Sequence, residues 1–168
     1  MKAKILFSFM AAILLLGCAP QSGEFVPDSP TGKIIGTVVV TDGSYDVVDG
    51  DTVFSDYIGN NIEAELTRLQ TDTTKYNIVL YKVCFSNHMP VTIDMTIPAV
   101  DIDSRGYLSG DSIVPYAGLL GEYPKFTIRN LTGKVVFNAE GKAGALTLQM
   151  LCGKYPTTYE GIYVADSK

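Results

Sequence analysis

His88 is the chain's single histidine, so a Ser-His-Asp relay or a zinc centre would have to be built on it. Its neighbour Ser86 stands two residues away in Ser86-Asn87-His88-Met89-Pro90, a run of turn formers with no strand-turn-helix setting for a nucleophile. Zinc would need its other ligands from scattered Cys, Asp and Glu at no metal-type spacing. His88 therefore reads as a loop histidine. The run Asp101-Ile102-Asp103-Ser104-Arg105-Gly106 starts like a calcium loop, with carboxylates at positions one and three and a glycine at six. Arg105 then stands where a third oxygen ligand belongs, and Ser112 where the bidentate glutamate belongs, so an Asp-rich hairpin turn is expected instead. Asp46, Asp49, Asp51 and Asp56 form a second acidic cluster among glycines, read as a solvated loop ahead of a weak calcium site.

Glu63 and Glu65 would lie about 7 Å apart on one strand face, the spacing of a glycosidase pair. They are the polar parity of an amphipathic strand and should face water. The glycines make neither GxGxxG nor GxxxxGK, so no phosphate cradle is present in the sequence. No catalytic residue, metal or cofactor is expected, and the chain does not read as an enzyme. Tyr107, Tyr116, Tyr123, Tyr155 and Tyr159 could form a stacking rim for an apolar or sugar ligand, since tyrosine offers a flat face with a polar tip. Sheet packing accounts for them equally well.

The elements that would position these groups are strands. Val91, Ile93, Met95 and Ile97 alternate with Thr92, Asp94 and Thr96, the period of a sheet with one wet face. The preceding run, from Tyr76 to Phe85, is apolar on both parities and reads as a central strand. Lys33 to Thr41 is β-branched and closed by the turn dipeptide Asp42-Gly43. Asp51 to Ile58 is a poor strand in a polar excursion, and Ile62, Ala64 and Leu66 mark a half-exposed one ending at the turn 71–74. Pro98 should mark a bulge, because the apolar parity shifts from Ile97 to Val100. Residues 107–124 read as a short strand and a long loop, 125–131 and 133–139 as two strands, Leu146 to Met150 as another, and 158–164 as the last. The expected fold is all-β, a single antiparallel barrel of about eight to ten strands over residues 33–168.

Ahead of it, Lys2 and Lys4 precede the apolar run Ile5 to Leu16, too short to span a bilayer. The run ends in Leu15-Leu16-Gly17-Cys18, which resembles the lipobox of a bacterial lipoprotein signal peptide. That resemblance implies a signal peptide over 1–17, lipid on Cys18 and a membrane partner through that lipid. Ala19 at the next position, in place of an aspartate retention signal, favours the outer membrane, with its periplasmic and surface faces both open. Residues 18–32, rich in proline, serine and glycine, read as a flexible tether. Without 1–17 the 13 basic residues fall to 11 against 18 acidic ones, a formal charge of −7, which argues against nucleic acid as a partner. Cys84 and Cys152 remain as the pair that could close one bridge in an oxidising compartment. A buried thiol is the alternative for each.

The order of segments YNIVLYKVCFS, MPVTIDMTIP, YLSGDSIVP, YPKFTIRNLTG and LTLQMLCGKYPTTYEGIYV resembles a family of Bacteroidetes lipoproteins with a calycin-like, lipocalin-related barrel. The resemblance implies the fold of small-ligand carriers and supplies no site residues. The chain departs from true lipocalins in having no tryptophan, and so no Gly-x-Trp near the first strand. The functional expectation is a lipid-anchored, non-catalytic envelope barrel that binds a small, mainly apolar ligand or an envelope protein partner. The alternative is a structural or adhesive accessory protein with a filled barrel, acting through its surface.

Overall fold

The computed structural model of the chain describes residues 33–139, 141 and 143–164. Cys18, the signal peptide expected over 1–17 and the tether expected over 18–32 lie outside the described residues. Nine strands follow one another as β1 (Ile34–Val48), β2 (Asp51–Arg68), β3 (Lys75–Val83), β4 (Ile93–Ile102), β5 (Tyr107–Gly110), β6 (Tyr116–Ala117), β7 (Ile128–Phe137), β8 (Ala143–Cys152) and β9 (Tyr155–Tyr163), with two short 3-10 turns between β6 and β7. All pairings are antiparallel. The sheet runs β3-β2-β1-β9-β8-β7-β5-β4, and the β3–β4 pairing closes it into a ring, with β6 further along the same edge of β4 as β5. The expected all-β antiparallel barrel is the fold.

Strand alternation fills the inside. Ile34, Val38 and Val40 of β1, Ile62, Ala64 and Leu66 of β2, Ile78 and Leu80 of β3, Met95 and Ile97 of β4, and Leu146, Leu148 and Met150 of β8 join one cluster, every member at most 8% exposed. A lumen holding a ligand would leave accessible surface on these inward side chains, and they have almost none. Tyr159 of β9 lies wholly within this cluster, its hydroxyl 3.2 Å from the Ile34 carbonyl and 3.1 Å from that of Ile62.

Bulges re-aim the strands where parity shifts. Opposite Pro98, β4 carries one residue more than β3 between Val100 and Ile97, as the sequence led one to expect, and Ala99 takes φ 54°. A second shift, between Leu80 and Val83 with Lys82 at φ 53°, lets Val83 and Phe85 stay buried. Three expectations about strands and turns are corrected, and one about a single side chain. Asp42-Gly43 does not turn the chain: β1 runs through it, and Thr41 to Gly43 bulge opposite Asp56. The turn is the next Asp-Gly pair, Asp49 (φ 53°) and Gly50 (φ 90°), the positive values that a two-residue hairpin loop requires. The weak strand at 51–58 is the first half of the 18-residue β2. Residues 125–139 give one strand, β7, where two were read, because Asn130 at φ 52° absorbs the break as a bulge between Arg129 and Thr132. Val91 is exposed outside β4 instead of facing inward with Met95.

The registers sort the connections by end. The β1–β2 ribbon, residues 84–92, the stretch 118–127 and the β8–β9 turn share one end, called the mouth here. Lys33 and Val164 meet at the opposite end, where the Val164 N–H donates to the Lys33 carbonyl at 3.3 Å.

Candidate functional site

The mouth is closed by aromatic side chains. The Phe85 and Phe126 rings lie 5.0 Å apart at 38°, and Tyr123 packs 5.1 Å from Phe126. Phe126 is set in place by the 3-10 turn Pro124–Phe126, which proline favours at its start and the Thr127 N–H closes on the Pro124 carbonyl. Beside this plug lies the ribbon formed by the far halves of β1 and β2. Tyr45 on it stacks on His88 with centroids 4.1 Å apart, and the His88 Nε2 lies 2.6 Å from the Tyr45 carbonyl. The single histidine thus ties the β3–β4 connection to the ribbon.

Open clefts surround the plug, three of which border the ribbon or Met89. One, about 290 Å³, is lined by Tyr45, Phe54, Lys154 and Tyr155. A second, about 310 Å³, lies between Tyr45, His88, Met89, Phe126 and Tyr155. The third, about 230 Å³, is walled by Met89, Ile93, Leu120 and Tyr123. Each is at or below the lower end of small-molecule sites, so it fits one ring or a short aliphatic segment, not a whole enclosed lipid. The Lys154 ammonium sits 5.1 Å over the Tyr155 ring, placing positive charge beside an apolar wall.

Of the five tyrosines read as a rim, the structure brings Tyr123 and Tyr155 to the mouth. Tyr107 does not belong there. It pairs with Lys134, six residues along β7 from the level of Tyr155, or about 20 Å away. Its ring carries Arg105 and Lys134 at 5.2 and 4.8 Å. Tyr116 is exposed on the outer wall beside Thr96. Tyr159 is core, and burial raises its phenol well above the usual tyrosine range. The sequence reading missed Tyr45, Phe54, Phe126 and Met89. A signal for two of them was present, since Tyr45 and Phe54 are equally spaced about Asp49-Gly50 and face each other in the ribbon.

Cys84 and Cys152 are buried free thiols, so the bridge they could have closed is not formed. Cys84 Sγ donates to the Ser86 carbonyl at 3.1 Å, while Cys152 Sγ lies near the Phe126 carbonyl and is pushed up to about 12 by burial. The Asp103 carboxylate accepts the N–H groups of Tyr107 and Arg105, both at 2.9 Å, and those bonds hold it below the usual carboxylate range. It builds the expected hairpin turn. Glu65 lies on the outer wall, where it accepts the Tyr81 hydroxyl at 2.7 Å. No group of three or more His, Cys, Asp or Glu converges among the described residues.

No family model, curated protein or solved structure matches the chain.

Proposed function

We propose that this is a non-catalytic binding protein of the cell envelope, anchored by lipid on Cys18, that works through the mouth end of a filled barrel. The observation that carries the reading is the contrast between the two apolar surfaces. The lumen side chains are packed against one another, while Tyr45, Val47, Phe54 and Leu120 stand exposed at the mouth. Soluble domains rarely leave such side chains grouped on the surface without a partner for them. A calycin-like barrel remains part of the proposal, but with the ligand or partner held on the rim and not inside.

The point at which the tether joins the barrel supports the same reading. Lys33, the residue to which residues 18–32 lead, lies at the end opposite the mouth. The tether thus joins the barrel away from the clefts and leaves them unobstructed. The reading is tested by purifying the lipidated protein from its own host and recording native mass spectra, then extracting what co-purifies. Any molecule retained should be lost from the Phe126→Ser, Tyr155→Ser double variant. A one-to-one apolar molecule that survives those substitutions would place the site in the lumen and overturn the reading.

A further inference from the structure

Beyond the clefts, the β1–β2 ribbon projects past the last barrel pairings on both sides. β1 loses β9 after Val40, which pairs with Thr157, and β2 meets β3 only from Glu63 onward. Between those points Ser44↔Ser55, Tyr45↔Phe54, Asp46↔Val53, Val47↔Thr52 and Val48↔Asp51 pair with each other alone. On the β1 edge the Tyr45 carbonyl is already taken by His88, whereas the β2 edge presents backbone N–H and C=O groups without a neighbouring strand, the template on which a further strand adds.

The two faces of the ribbon differ in chemistry. Cross-strand partners share a face, so Tyr45, Val47, Thr52 and Phe54 lie on one side, with Val47 69% and Phe54 60% exposed. Asp46, Val48, Asp51 and Val53 lie on the other, with Asp49 at the tip. From Ile34 to Thr67 the chain has no lysine or arginine, while Asp42, Asp46, Asp49, Asp51 and Asp56 all fall in or beside the ribbon. None of the ion pairs among the described residues uses these carboxylates. The pattern selects the occupant. Two ribbons edge to edge would bring like charges together, and an anionic bilayer would repel the arm.

We propose that the ribbon is a docking arm for a basic protein segment, which adds as a third strand along the Asp51–Ile58 edge. Its lysines or arginines lie on the Asp46 and Asp51 face, and its large apolar side chains on the Tyr45 and Phe54 face. The aspartates thus keep the exposed edge from pairing with itself while leaving it open to a strand of opposite charge. The inference rests on the mouth-end reading and names a partner chemistry for it.

The test uses the full chain and a fluorescent decapeptide of alternating lysine and valine, with a glutamate–valine peptide as control. Anisotropy should report saturable binding of the lysine peptide alone, weakened as salt is raised. Asp46→Asn with Asp51→Asn should raise its Kd about three- to tenfold, and Phe54→Ser should raise it as well. Amide exchange on the complex should show new protection at 51–58. All three substitutions are at exposed positions, so circular dichroism should show the barrel unchanged. No binding of the lysine peptide, equal binding of the glutamate peptide, protection elsewhere, or a dimer that Phe54→Ser dissolves would each overturn the proposal. If the peptide fails while a native ligand still depends on Phe126 and Tyr155, the ribbon proposal falls and the mouth-end reading stands.

Discussion

Replacing Tyr159 by phenylalanine removes one oxygen from the middle of the barrel and leaves the ring in place. The hydroxyl is a single donor lying 3.2 Å from the Ile34 carbonyl and 3.1 Å from that of Ile62, at a position with no solvent access. Without it water cannot enter to take over, so the cost is a lost buried bond and an under-satisfied carbonyl, about 1–2 kcal/mol. For a domain of this size that lowers the melting temperature by about 3–8 °C. The same ring explains Gly161, where a Cβ would come 2.5 Å from the Tyr159 hydroxyl and 2.6 Å from Ile34 Cγ2. Gly161→Ala should therefore cost about 2–3 kcal/mol by overpacking. Because Tyr159→Phe takes away the oxygen that the new methyl would strike, the double variant should be less damaged than the two singles added, by about 0.5–1 kcal/mol. Denaturant unfolding monitored by circular dichroism measures all four proteins of the cycle. A Tyr159→Phe protein melting within about 1 °C of the parent, or a strictly additive cycle, would refute the reasoning.

Three further outcomes are expected, two from the geometry and one from the sequence. A thiol reagent should react with Cys84 and Cys152 only slowly in the folded protein and release both in denaturant without a reductant, since both are buried and unbridged. The Tyr81 phenol, held up to about 12 first by its bond to Glu65 and then by burial, adds stability that is full below the ordinary value of 10.0 and lost as pH rises from there toward 12. Glu65→Gln should move its ultraviolet titration back toward 10.0 and flatten that stability slope. Growth with labelled palmitate should mark the parent protein and leave Cys18→Ser unlabelled and released from the membrane fraction.

The barrel was legible in the sequence because its inward positions keep the two-residue period over whole strands, as at Leu146, Leu148 and Met150. The bulge beyond Pro98 was legible too, since a shift of apolar parity has no other outcome in a strand with one buried face. The ribbon was not. Neither of its faces is buried, so no inward apolar period marks it, Asp42-Gly43 offers the same dipeptide as the true turn at Asp49-Gly50, and only the surrounding pairings decide which one bends. The tyrosines carried little positional information for a related reason. The same residue type serves as core at Tyr159, as outer wall at Tyr116 and as mouth lining at Tyr155. Which of these it becomes depends on strand parity and on the end of the barrel it reaches. Phe126 was missed because it reaches the mouth from a 3-10 turn, outside any strand period.

The claim on which the account turns is that the lumen is solid and binding takes place outside it. Titration of the full chain with a fluorescent long-chain fatty acid, followed by quenching with iodide, tests this most directly. A bound probe at the rim clefts should remain open to the quencher and be displaced by Phe126→Ser with Tyr155→Ser. One probe per chain, shielded from iodide and indifferent to those substitutions, would mean that the barrel opens to a ligand and would contradict the account.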